Sequence, residues 1–154
     1  MKIKKSSWDI PMQLICLLLL GAMTAYLIIN WKELPNTIPG HYNARGVVDR
    51  WGDKSELLIL AMLGWGLYLG MTVIEKFPSI WNTGVAVTEK NKEAVYGILK
   101  NMLSTLKLVT VTIFVFLTMN SALSNHLPVW FLPLVLISTF GPIIFFSIQL
   151  RKVK

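Results

Sequence analysis

The sequence predicts an all-α integral membrane protein with four transmembrane helices, and three observations lead there. Of the 154 residues, 54% are apolar and only 15% charged, and the mean hydropathy is +0.57. A soluble domain carries about a quarter of its residues as Asp, Glu, Lys or Arg, and one this short cannot bury so much apolar surface. The apolar residues also gather into four runs, and a hydrocarbon core of about 30 Å needs about 20 helical residues to cross it. Finally, Lys and Arg divide unequally between the two sides that these runs define. The composition excludes a disordered chain, a disulfide-stapled secreted domain and most soluble enzyme folds. The one cysteine, Cys16, lies inside an apolar run and reads as a packing residue.

The first span covers residues 10–29 and contains no charge. A basic stretch precedes it, as in a signal peptide, but the apolar run is too long. Ala22-Met23-Thr24-Ala25 also makes a poor cleavage site, so the span is expected to be retained. The second span covers 57–74, ending before Glu75-Lys76. Its glycines Gly64, Gly66 and Gly70 suit close helix contact. The third covers 103–123, with Lys107 near one end, placed to snorkel toward the headgroups. The fourth covers 129–148 and contains Pro133 and Pro142, which membrane helices tolerate.

With the N-terminus inside, the cytoplasmic side holds Lys2, Lys4, Lys5, Lys76, Lys90, Lys92, Lys100, Lys107, Arg151, Lys152 and Lys154. The outer side holds Lys32, Arg45, Arg50 and Lys54. The positive-inside rule then puts both termini in the cytoplasm. This topology accounts for the net charge of +7 without a nucleic-acid partner. Residues 30–56 form an outer loop, and 124–128 form a tight outer turn that makes the last two spans an antiparallel pair. On the cytoplasmic side, Asn82-Thr83-Gly84 reads as a turn and Thr88 as an N-cap followed by Glu89. Ala94, Val95, Ile98, Leu99, Met102 and Leu103 recur at helical spacing, so a helical extension leads into the third span. With no internal repeat, residues 1–154 are expected to form a single domain.

The outer loop is the most distinctive stretch. Pro35 and Pro39 hold the chain extended, while Pro39-Gly40 and Ala44-Arg45-Gly46 supply turns, with Gly46 free to take positive φ. His41, Asn43, Arg45, Asp49, Arg50, Asp53 and Lys54 crowd together, and Trp31 and Trp51 suit the membrane interface. An ordered loop folded back on the helix ends is expected. Asp49 and Asp53 lie four residues apart, as do Arg50 and Lys54. They form either neighbours on a short helix or a solvated charged rim.

The pattern Leu34-Pro35-x-x-Ile38-Pro39-x-His41-x-Asn43-x-x-Gly46-x-x-Asp49-x-Trp51-Gly52-x-Lys54 resembles the bacterial family of domain of unknown function 1648, which includes SdpI-type immunity membrane proteins. A looser similarity touches Asn82, Thr88, Asn91 and Tyr96, although Thr83 follows Asn82 where the family has proline. The resemblance covers about residues 8–105, and the last span matches in hydrophobicity alone. The resemblance implies a bacterial plasma-membrane protein whose outer loop meets a membrane-active peptide or toxin, giving immunity or signalling to a cytoplasmic or membrane partner. His41, Asn43, Gly46, Asp49 and Lys54 are the expected ligand-binding or loop-organising residues. Pro35, Pro39, Trp51 and Gly52 are the structural ones.

The same residues bear on other chemistries. His41, Asp49, Asp53 and His126 contain the donor types of a zinc site, but their spacing matches no metal signature and no cofactor is expected. Hydrogen bonding of His41 and Asp49 within the loop is the simpler role. No catalytic residue is assigned, since no nucleophile motif frames the serines and histidines. A metal-dependent or lipid-directed enzyme using His41 and Asp49, or a structural subunit of a membrane complex, are the alternatives. The span interiors show no midplane ionisable residue of the transporter kind, and Asn120 is the one polar group there that calls for a partner.

Overall fold

The computed structural model describes residues 9–154, so Lys2, Lys4 and Lys5 of the charge argument lie outside the described residues. The elements are α1 (Asp9–Asn30), β1 (Thr37–Tyr42), β2 (Val48–Asp53), α2 (Glu56–Ile74), a short 3-10 turn (Pro78–Ile80), α3 (Lys92–Ala122) and α4 (Phe131–Lys152). All four helices are long and apolar enough to cross a membrane, and the chain is a multi-pass membrane protein. Ile10, Leu18, Ile28, Met62, Ile137 and Ile144 are exposed on helix surfaces, the distribution expected where the surrounding solvent is lipid rather than water.

Helix α3 is the central element. Helices α1, α2 and α4 each pack against it, and its 31 residues join the expected amphipathic extension to the third span without a break. Thr88 and Asn91 prepare its start through a reciprocal pair. The Asn91 N–H donates to Thr88 Oγ1 at 3.3 Å, and the Thr88 N–H donates to Asn91 Oδ1 at 2.7 Å. Helix α4 packs chiefly against α3, and none of its apolar window is buried. Of the three glycines in α2, Gly64 is the contact point, facing Leu20 of α1 and Phe114 of α3, while Gly66 and Gly70 face open space.

The chain reverses between helices at two ends, the hairpin end and the end where α1 begins and α4 finishes. A cluster of Cys16, Leu20, Met23, Tyr68 and Val111 fills the middle of the bundle. At the hairpin end Leu27, Leu34, Ile38, Leu57 and Ala122 pack together. At the other, Val95, Leu99 and Leu150 do so under Trp81.

Lys107 corrects the expectation of snorkelling. It is 1% exposed and turned into the bundle, because it shares with Ser104, Val111 and Thr118 the buried stripe of α3. An ammonium there needs partners. Lys107 Nζ donates to Glu75 Oε2 at 2.7 Å and to Gln13 Oε1 at 2.9 Å, and lies 5.7 Å from the Tyr68 ring centroid. Gln13 Nε2 in turn donates to the Tyr68 hydroxyl, and Ser104 Oγ donates to Glu75 Oε1 at 3.3 Å. The pair ties α1, the end of α2 and α3 together at one depth. Lys107→Met strands the Glu75 carboxylate and is expected to cost about 3–5 kcal/mol, whereas Lys107→Met with Glu75→Leu recovers most of that loss. Unfolding of the purified protein in detergent, followed for both variants, checks the difference.

Candidate functional site

Residues 31–55 close the hairpin end. Their backbone satisfies itself as a two-stranded antiparallel sheet, with Thr37 opposite Asp53, Ile38 opposite Gly52 and Tyr42 opposite Val48. Asn43 organises the reversal, its Oδ1 accepting the N–H groups of Arg45 at 2.9 Å and Val47 at 3.1 Å. Gly46 follows at φ 78°, a conformation that costs other residues about 1–2 kcal/mol. The register shifts around His41, leaving Gly40 and Asp49 without directly opposed partners. Such irregularities re-aim side chains.

The hairpin does not stand free. The Tyr42 hydroxyl donates to the Asn125 carbonyl at 3.1 Å, accepts from Asn120 Nδ2 at 3.0 Å and lies 3.2 Å from Ser121 Oγ. Asn120 thus finds one partner in the hairpin and another in the Asn125 carbonyl, to which its Nδ2 also donates at 3.0 Å. The Leu127 N–H donates to the Gly46 carbonyl at 2.9 Å. A Cβ at Gly46 would lie 2.2 Å from the Leu127 carbonyl oxygen, so glycine is required there by space as well as by φ. His126 Nδ1 accepts the Val48 N–H at 3.4 Å. The turn between α3 and α4 therefore clasps the hairpin tip.

Each expected site residue has a definite place. His41 Nδ1 lies 2.6 Å from Asp49 Oδ1, and because a carboxylate only accepts, Nδ1 carries the proton of this contact. Both side chains are exposed. Lys54 Nζ lies 5.4 Å from the Trp31 ring centroid and donates to the Trp31 carbonyl at 3.3 Å, where a cation complements the end of α1. Asp53 Oδ1 accepts the Ser55 N–H at 2.8 Å just before α2, and this bond holds the Asp53 carboxyl below its ordinary value. Pro39 is fully buried opposite Trp51, whose ring is exposed. Asp49, Arg50, Asp53 and Lys54 lie in or just after a strand rather than on a helix, and each has a partner of its own.

Arg50 pairs in a way the sequence spacing did not suggest. Its guanidinium donates to both carboxylate oxygens of Glu56, at 2.9 and 2.8 Å, and to the Gly40 carbonyl at 2.7 Å. The pair lies flat across the hairpin, and a Cβ at Gly52 would meet Glu56 Oε1 at 2.2 Å. That close approach explains Gly52. Beneath the pair, a groove of about 620 Å³ runs between the hairpin, α2 and α3. Ile38, Pro39, Ile59, Leu60, Leu117 and Leu127 give it an apolar floor, and His41, Arg50 and Glu56 a polar rim. Tyr42, Glu56 and Ser121 are the site residues that sequence reading missed. A run of charges opposite an apolar helix start was the only local signal.

As for a metal, His41 and Asp49 meet, but Asp53 is turned to Ser55 and His126 to Val48. Among the described residues no three of His, Cys, Asp and Glu gather as a metal-holding group.

These elements are the ones that known proteins share. Residues 18–65 match the model of a family described as a domain of unknown function, DUF1648. The DUF1648 match runs from α1 through the whole hairpin into α2, and ends at Trp65, whose Nε1 donates to Thr24 Oγ1 at 3.0 Å within it. An uncharacterized protein of Archaeoglobus fulgidus is 39% identical over 44 residues, which is 29% of this chain and 24% of that protein. The similarity thus spans about a quarter of that relative's length. No solved structure matches the chain.

Gly46 and Gly84 separate the two demands on glycine. Gly84 has φ 64° but open space around its α-carbon. Gly84→Ala is expected to cost about 1–2 kcal/mol of backbone strain, and Gly46→Ala distinctly more, with release of the hairpin. Melting temperatures and proteolysis within residues 43–48 of both variants check this.

Proposed function

We propose that the groove under the hairpin binds an amphipathic, membrane-active peptide at the outer surface of a bacterial plasma membrane, giving immunity or passing a signal to a membrane or cytoplasmic partner. The observation that carries this reading is the groove's division into an apolar floor and a charged rim. A peptide lying at the interface has the same division. In this reading His41 and Asp49 form the polar centre, with Arg50 and Glu56 beside them. Asn43 and Gly46 shape the tip, and Lys54 secures the base. The motif's resemblance to SdpI-type immunity proteins and the excess of Lys and Arg at the opposite end support placing the hairpin outside.

A second reading rests on one specific contact. The His41–Asp49 contact makes Nδ1 the donor, and in the neutral imidazole Nε2 is then an acceptor beside a groove of about 620 Å³, the arrangement of an oriented general base. Lipid turnover by the purified protein, abolished by Asp49→Asn, would favour this enzyme reading.

The decisive comparison expresses wild type, His41→Ala and Arg50→Ala at matched membrane abundance in a sensitive bacterium and challenges each with a panel of membrane-active peptides. Wild type is expected to raise the inhibitory concentration of at least one peptide about tenfold, and both variants to lose that protection. Equal sensitivity with and without the wild-type protein across the panel would count against peptide recognition.

A further inference from the structure

The opposite end of the bundle carries a second cavity, of about 350 Å³, between α1, the end of α2 and α3. We propose that it holds the phosphodiester headgroup of an anionic phospholipid, independently of what the groove under the hairpin binds.

Three observations converge on that ligand. The first is charge. Lys100 Nζ pairs with Asp9 Oδ2, and Lys107 with Glu75, so both carboxylates of the lining are already matched by ammonium groups. Lys76, also in the lining, has no ion-pair partner among the described residues. With Lys107 counted behind the lining, three ammonium groups face two carboxylates, a surplus of one positive charge that suits a phosphodiester monoanion and leaves no carboxylate over for the ammonium of a zwitterionic head. Each ammonium has three N–H donors, so Lys100 keeps donors for a phosphate while holding Asp9.

Shape is the second. Polar groups line the cavity toward the bundle, with Gln13, Thr72 and Ser104 beside the charges. Ile10 and Leu14 line it from α1 and are themselves 61% and 54% exposed. A headgroup seated on the lysines would therefore have its acyl chains running along an apolar helix face that lipid already covers. A free phosphate would leave that side unused.

The third is the field of the whole chain. Lys32, Arg45, Arg50 and Lys54 at the hairpin end are balanced by Glu33, Asp49, Asp53 and Glu56, whereas at the cavity's end the described residues hold eight Lys and Arg against Asp9, Glu75, Glu89 and Glu93. Clustered Lys and Arg beside membrane helices attract anionic lipid. The cavity holds Lys76 and Lys100 of that cluster on a folded framework, with the Lys100 side chain only 15% exposed.

The test is native mass spectrometry of the full chain released from micelles containing equal phosphatidylglycerol and phosphatidylcholine. Wild type is expected to retain phosphatidylglycerol at least tenfold over phosphatidylcholine. Lys76→Ala, which keeps both ion pairs, and Lys100→Ala should each lose most of that preference. Arg151→Ala, at the same end but outside the cavity, should keep it. Equal retention of the two lipids would overturn the proposal, as would an equal loss in Arg151→Ala. Displacement by glycerol phosphate at the lipid's own concentration would overturn the assignment to a lipid rather than a soluble phosphate.

Discussion

At the Tyr42 hydroxyl, β1, the end of α3 and the turn before α4 come within hydrogen-bonding distance of one another. The nearly buried Asn120 amide bridges hairpin and turn there, its Nδ2 donating to that hydroxyl and to the Asn125 carbonyl, each at 3.0 Å, and one such hydrogen bond contributes about 0.5–1.5 kcal/mol net. The contact therefore stabilises α3 and positions the hairpin at once. Once Tyr42 is held, the tip reaches Leu127, the strands lie over Leu27, Leu57 and Ala122, and a groove is left between hairpin and helices. The groove's rim depends in turn on Arg50 and Glu56, which lie flat because Gly40 and Gly52 have no side chains to lift them.

The two ends of the bundle solve different electrostatic problems. At the hairpin end His41 pairs with Asp49 and Arg50 with Glu56 on the exposed surface, and basic and acidic residues are equal in number, which keeps the local charge near zero. At the other end, an ammonium and a carboxylate are drawn into the bundle and must satisfy each other there. Exposed pairs contribute little to stability, so those of the hairpin shape a surface. The Lys107–Glu75 pair is of the other kind, costly to break from one side only. The same pairing neutralises the inner wall of the second cavity and leaves its cationic surplus on Lys76.

Much of this was legible in the sequence because the bilayer enforces a strong pattern. Four apolar runs give four helices of nearly the expected bounds, and α3 extends beyond its span as Val95 and Leu99 foretell. Ala44-Arg45-Gly46 announces a turn through the freedom of Gly46 at positive φ, and the chain turns there with Asn43 closing it. The strands did not announce themselves, since Pro39 and Gly40 on one side and Gly52 on the other are poor strand formers. They pair because a chain returning to the helix ends must satisfy its own backbone, and Ile38 and Pro39 have a core to cover. Lys107 was misread from its position near a span end, although the Ser104, Lys107, Val111 stripe points inward. Contacts such as Tyr42–Asn120 and Lys107–Glu75 join residues far apart in the chain, which no local period can reveal.

Native-state hydrogen exchange at the Leu127 amide, in wild type and Tyr42→Phe, tests the docking of the hairpin most directly. That amide belongs to the α3–α4 turn, and its only acceptor among the described residues is the Gly46 carbonyl at the hairpin tip. A docked hairpin predicts a protected Leu127 amide in the wild type, exchanging together with those of Asn43 and Gly46, and protection reduced about tenfold in Tyr42→Phe. Exchange of Leu127 at the rate of an open loop in the wild type would contradict the account, since the hairpin would then hang free and the groove beneath it would have no fixed wall.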